Sequence, residues 1–200
     1  MLEVGSAVRA LTGHEHSGDA VFSSLRQGVQ LVALVDAVGH GREASEEAQA
    51  VVDALAASFE RNPRKGPAAL LQELHQARRG GRGAVCAVAC VESDGGALSY
   101  AGVGDVSAYY VDSAIHELNT GNGTLGHRMG SPRPEHRSMS DRSLLLIHSD
   151  GVSRPRSNEP LAALRIGSAR DAAWRHLHGH AKVQDDASCL VLRYIREDDP

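Results

Sequence analysis

The sequence predicts an α+β fold, a sandwich of two antiparallel sheets with α-helices layered outside them. Three observations carry that expectation. Most apolar runs are short enough to be strands and are separated by Gly-, Asn- or Asp-containing turns. Between residues 44 and 78 the period of the apolar positions changes from that of a strand to that of a helix. Strands then resume at residue 84, so the helices are inserted among strands and do not alternate with them as in a parallel sheet.

Taken in order, residues 2–10 alternate loosely and read as a strand, followed by a polar turn over residues 12–18. A second strand, residues 19–26, meets a third, residues 30–35, through Gln27-Gly28. Ala44, Ala48, Val51, Val52, Leu55 and Phe59 recur at helical spacing, with Glu43, Glu46, Glu47, Asp53 and Glu60 on the other face. That helix should stop before Asn62-Pro63, because the residue preceding proline is pushed out of helical conformation. A second helix, residues 67–78, turns Leu70, Leu71 and Leu74 inward and ends at Gly80-Gly81. Residues 84–91 are almost continuously apolar, as expected of a central strand covered on both faces. Residues 97–102 and 106–111 read as its neighbours, and residues 120–134 as a Gly-rich irregular stretch. A strand over residues 143–148 follows. A closing helix starts near Ser168, where Ser-x-x-Asp171 resembles a capping box, and residues 187–195 form the last strand.

The 200 residues suit one domain over 1–200 with a genuine core, and 42% hydrophobic content is that of a globular chain. Aromatic residues make up only 4%, which leaves few stacking platforms for single-stranded nucleic acid. A net charge of −4 argues against general affinity for nucleic acid or an anionic membrane. The N-terminus lacks the order of a signal peptide, and no run is long and apolar enough to span a bilayer. Cys86 and Cys90 share a strand face beyond disulfide reach, so the thiols read as free and the location as cytoplasmic.

The most informative feature is a set of acidic motifs: Gly18-Asp19, Asp36-Ala-Val-Gly-His-Gly41, Ser149-Asp150-Gly151 and Asp185-Asp186-Ala-Ser188. Each lies at the end of an apolar run or beside a glycine. Carboxylates at the ends of core strands are costly unless their charge is compensated. Several arriving from distant parts of one chain suggest a divalent-cation site built from hard oxygen ligands.

These residues resemble the PPM family of metal-dependent serine/threonine phosphatases, within it the SpoIIE-like branch, and there the RsbX type. The resemblance runs in order through Gly18-Asp19, Val35-Asp36-Ala-Val-Gly-His-Gly41, Arg82-Gly83-Ala84, Gly102-Val-Gly-Asp105, Leu125-Gly126, His148-Ser-Asp-Gly-Val152 and Gln184-Asp-Asp-Ala-Ser188. It implies a PPM-type sandwich with α-β-β-α layers and two bound ions, Mn²⁺ or Mg²⁺. Two such ions roughly 3.5–4 Å apart can activate water and neutralise phosphoryl charge. By the same likeness Asp36 bridges the ions and the Ala37 carbonyl is a further ligand. Asp150 and Asp185 complete the second site, and Asp19 holds the first, directly or through water. Asp36 and Asp19 are thus the residues expected to carry catalysis. The family has glycine where Ala37 stands, which narrows backbone freedom without removing the carbonyl.

Asp186 reads as a neighbour of the site and Asp105 as a turn residue. His40 is open to two readings, a proton donor to the leaving oxygen or a loop residue. His14 and His16 read as surface positions, and His176, His178 and His180 do not form a metal-ligand pattern. The Arg78-Arg79-Gly-Gly-Arg82 run is either a solvated loop or a contact for a phosphorylated partner. The resemblance implies phosphorylated STAS-domain stressosome proteins, RsbR- or RsbS-like, as partners. Two rivals stand beside it: a non-catalytic pseudophosphatase, and a phosphatase acting on an anti-sigma-factor antagonist.

Overall fold

The computed structural model describes residues 1–154 and 163–195. Two five-stranded sheets form its centre, and every neighbouring pair of strands in them is antiparallel. Strands β1 (Leu2–Arg9), β12 (Ala187–Tyr194), β11 (Leu144–His148), β6 (Ser107–Val111) and β7 (Ile115–Leu118) lie in that order in the first sheet. The second runs β10 (Glu135–Ser138), β5 (Ala97–Val103), β4 (Ala84–Glu92), β3 (Val29–Ala37) and β2 (Asp19–Arg26).

Helices α1 (Arg42–Arg61) and α2 (Pro67–Ala77) cover the outer face of the second sheet, and α3 (Ala169–His180) covers the first. The layers follow from two-residue periodicity. On β3, Leu31, Ala33 and Val35 pack toward α1 and α2, while Val32 and Leu34 meet the other sheet. On β4, Cys86 and Val88 face the helices, and Ala87, Ala89 and Val91 face the sandwich interior. A run apolar on both faces is therefore what a middle strand needs.

Helix α1 extends two residues beyond the periodic run at each end, and Asn62 closes it with its N–H donating to Ser58 O. The capping box at α3 is formed. Ser168 Oγ accepts from Asp171 N at 3.1 Å, and Asp171 Oδ2 accepts from Ser168 N at 3.3 Å. The thiols are free, with Cys86 and Cys189 buried and Cys90 half-buried.

The sequence reading misses short elements. Residues 120–134 are not wholly irregular, because Gly123–Thr124 (β8) pairs with Arg128–Met129 (β9) in a small hairpin. Strands β7 and β10 also go unread, being Ile-His-Glu-Leu and Glu-His-Arg-Ser. Both lie at sheet edges, where charged side chains suit an exposed margin and hide the usual alternation.

Candidate metal centre

Asp19 opens β2 and Asp36 lies one residue from the end of β3, so the β2–β3 ladder places them directly opposite each other. From the other sheet, β11 ends at His148 and β12 begins at Ala187. Ser149 N donates to Ser188 O at 3.1 Å, and Ser188 N donates to Ser149 Oγ at 3.0 Å. These two bonds draw the Asp150 turn and the Asp185-Asp186 pair to one edge of the sandwich.

The charges converge there. Burial pushes the Asp36 carboxyl up to about 9, and the charges of Asp19, Asp150, Asp105 and Asp185 add to the rise. Burial pushes Asp19 up to about 7, with the hydroxyls of Ser149 and Ser188 pulling the other way and Asp186 and Asp150 adding to it. Burial also raises Asp150, assisted by Asp105 and Asp185 and opposed by Lys182. Asp19 is only 5% exposed, and its Oδ2 is buried without a hydrogen-bond partner. Ala37 is buried beside Asp36, its N–H donating to Gly18 O at 3.0 Å.

An orphaned carboxylate oxygen amid mutually repelling acids fits a hard divalent cation. Among the described residues, no three His, Cys, Asp or Glu side chains are drawn together into a closed ligand cage. The carboxylates therefore share an electrostatic neighbourhood without already gripping a common centre.

Asp186 has a definite role beside the cluster. Its Oδ1 accepts from Leu11 N and its Oδ2 from Gly18 N, each at 2.7 Å. One buried carboxylate thus holds both ends of the turn that leads into Asp19. Gly151 packs so closely against it that a Cβ there would lie 1.8 Å from Asp186 O. Asp105 is exposed in a bend, as its turn reading expects, yet its charge reaches both Asp36 and Asp150. That second fact is absent from any local motif.

His40 is exposed, and its ring meets that of His14 edge-on at 4.7 Å. The basic run is not a free loop. Arg78 grips the buried Glu47 through Nη2 at 2.6 Å and Nε at 3.2 Å. Arg82 pairs with Glu43 and donates to Val38 O at 3.3 Å, next to the Asp36-Ala37 segment. His127 Nε2 donates to Gly81 O and Arg82 O at 3.0 and 3.2 Å, which ties the β8–β9 hairpin to the same run.

A histidine group behind Asp150 also escapes the sequence reading. His148 and His176 rings stand 6.1 Å apart, and His176 and His180 rings 4.7 Å. His148 Nδ1 donates to Ser149 O at 2.9 Å, and the Nε2 atoms of His148 and His176 are buried without partners. Burial holds both imidazoles neutral, with values lowered to about 4 and about 3. The signal was present in the i, i+4 spacing of His176 and His180, but His148 comes from a remote strand.

A two-sheet sandwich with outer helices and an acidic cluster at one edge defines a PP2C-type phosphatase fold. The SpoIIE family model, described as stage II sporulation protein E, matches residues 26–195, and the chain belongs to that family of PPM phosphatases. A solved structure described with the bacterial stressosome, a modular system adapted to control secondary messenger signalling, is 28% identical. It superposes with a TM-score of 0.87 over 96% of this chain and 100% of that one. RsbX in complex with magnesium is 18% identical, with a TM-score of 0.81 over 96% and 94% of the two chains. The catalytic domain of the phosphatase PstP with two manganese ions is 20% identical, with a TM-score of 0.74 over 98% and 99%. A comparison with curated protein sequences finds no match. No helix among the described residues is long and apolar enough to cross a membrane.

Proposed function

We propose that this chain is a cytoplasmic, Mn²⁺- or Mg²⁺-dependent protein serine/threonine phosphatase whose substrate is a phosphorylated STAS-domain protein of a stressosome. One observation carries the catalytic part: Asp36 is surrounded by the charges of Asp19, Asp150, Asp105 and Asp185 at the edge where the two sheets meet. A pure binding module has no use for so costly a concentration of acid. Relatives crystallised with magnesium and with two manganese ions support the choice of cation. The likeness to a stressosome structure supports the choice of partner.

In this reading Asp36 would hold both ions, Asp19 and the Ala37 carbonyl would serve one, and Asp150 and Asp185 would serve the other. The bound pair supplies Lewis acidity and a water activated at neutral pH. The chain's own part is positioning. The β2–β3 ladder fixes the Asp19–Asp36 spacing, the Ser149–Ser188 bonds bring in the second pair, and Asp186 holds the Asp19 turn closed. Residues 1–200 act as one phosphatase domain, and the surfaces that serve partner selectivity are those around the site, chiefly the β8–β9 hairpin and the Arg78–Arg82 run joined through His127.

The test is Mn²⁺-dependent phosphate release from a phosphorylated STAS-domain protein, compared with a peptide spanning the same phosphosite and with an aryl phosphate. A higher kcat/KM on the folded protein is expected. Equal values for protein and peptide would remove the stressosome partner while leaving the phosphatase. No release from any of the three would remove the phosphatase.

A further inference from the structure

The segment between α3 and Asp185 is held in a defined relation to the acidic edge. Ala181 and Val152 form an antiparallel bridge, Lys182 N donates to Gly151 O at 2.8 Å, and Ser153 N donates to His180 O at 2.9 Å. Residues 180–182 are therefore laced along the three residues that follow Asp150. Arg9 fastens the same strap from the other side, its guanidinium donating to Lys182 O and, at 3.2 Å, to Asp185 O. Lys182 thus has its backbone fixed between two acids assigned to the metal centre.

Its side chain is left unused. Lys182 is exposed, and among the described residues its ammonium has no hydrogen bond or ion pair. Three guanidinium groups around this edge are committed: Arg9 to the strap, Arg154 to Glu117 at 3.3 Å, and Arg82 to Glu43 and Val38 O. Lys182 nonetheless stands at the site, since its N–H donates to the carbonyl of Gly151, the residue after Asp150, at 2.8 Å. A cation beside an acidic cluster that makes no ion pair with it is placed to serve a ligand. A phosphomonoester dianion entering an acid-lined edge needs such a charge on its outer, metal-free side.

Building on the phosphatase reading above, we propose that Lys182 is a substrate-binding residue whose ammonium contacts the non-bridging oxygens of the phosphoryl group, on the side away from Asp36. It adds affinity for any phosphomonoester dianion, whatever carries it. The strap fixes where the charge originates, and the long side chain lets it follow the substrate in.

The experiment compares the full chain with Lys182→Gln and Lys182→Arg in saturating Mn²⁺. With both aryl phosphate and the phosphoprotein, Lys182→Gln should raise KM about five- to tenfold and leave kcat within about twofold. Lys182→Arg should restore most of the loss, and high salt should shrink the difference between Lys182→Gln and wild type. Calorimetric titration of inorganic phosphate into the Mn²⁺-loaded protein should show the same weakening, a readout independent of turnover. Unchanged KM and unchanged phosphate affinity in Lys182→Gln would overturn the assignment. So would a loss confined to the phosphoprotein, which would mean that the cation reads protein surface and not phosphoryl oxygen. A wild-type protein that binds phosphate through Lys182 but releases none from any substrate would refute the phosphatase reading alone.

Discussion

Asp19 and Asp36 are register partners across the β2–β3 ladder, so two acids that repel each other are held opposite by backbone hydrogen bonds. Directly opposed residues of an antiparallel pair have Cα atoms only about 4.5–5.5 Å apart. The sheet enforces an approach that the side chains alone would avoid. Stability given up at this spot has to be recovered by a ligand or by protons.

Replacing Asp36 with Asn should therefore separate folding from function. The change keeps the size of the side chain and removes a half-buried charge that four neighbouring acids oppose. The metal-free variant should melt at the same temperature as wild type or higher. Mn²⁺ affinity and phosphate release should each fall by more than about 100-fold, given that even outer supports of a metal site are worth 10–100-fold. Calorimetric Mn²⁺ titration with a parallel thermal melt reads both quantities. Undiminished Mn²⁺ binding would remove Asp36 from the metal centre.

The metal-free protein should have a stability maximum in mildly acidic solution. Asp19 and Asp36 have folded-state values of about 7 and about 9, above the ordinary 3.8, so the folded state binds more protons than the unfolded state across that window. Their contribution is present at low pH and is lost as pH rises through about 7 and then about 9. His148 and His176 act in the opposite sense. Their values are lowered from 6.5 to about 4 and about 3, so their contribution is lost as pH falls below about 6.5. Urea melts across pH in chelator should show both limbs, and excess Mn²⁺ should flatten the alkaline one. A metal-free profile that climbs steadily from pH 6 to pH 9 would contradict the acid cluster.

Asp186→Ala should cost about 3 kcal/mol, because it strands the Leu11 and Gly18 N–H groups that now donate to a carboxylate only 4% exposed. Mn²⁺ affinity should fall at least about tenfold, since the turn bearing Asp19 loses its anchor. Asp186→Asn retains one acceptor and should do less damage. Chemical denaturation and metal titration of both variants test this, and a wild-type denaturation midpoint in Asp186→Ala would discard the clamp.

Gly151→Ala should destabilise by about 3 kcal/mol or more, for a purely steric reason. The added Cβ would stand 1.8 Å from the Asp186 carbonyl oxygen, so the Asp150 turn and the start of β12 must part. Loss of phosphate release beyond the loss of folded protein would follow from the displaced Asp150. A well-folded, fully active Gly151→Ala protein would contradict the close packing.

Most of the scaffold can be read from periodicity, because β3, β4, β11 and β12 are apolar enough to announce themselves and α1 changes the period unmistakably. The edge strands β7 and β10 cannot be read that way, since pairing on one side only allows charged residues. The acids stand out because glycines and strand ends mark them. What Asp186 does is invisible in sequence, since its partners Leu11 and Gly18 are more than 160 positions away. The reach of Asp105 and the grouping of His148 with His176 are likewise products of the tertiary fold. Arg78 shows the reverse: a run that reads as a solvated loop or a partner contact contains a half-buried guanidinium clamped to the buried Glu47 of α1.

Strand β1 has one neighbour in its sheet, and that neighbour is β12, the last of the described strands. During synthesis the earliest of the described strands must therefore wait for the latest of them before it can make its ladder bonds. The same delay governs the chemistry, since Asp19 and Asp36 are translated long before Asp150 and Asp185. A nascent chain holds only half of the acidic edge and lacks the Asp186 carboxylate that closes the Asp19 turn. Completing the first sheet and bringing the last acids to the edge beside Asp19 and Asp36 are thus a single event in time.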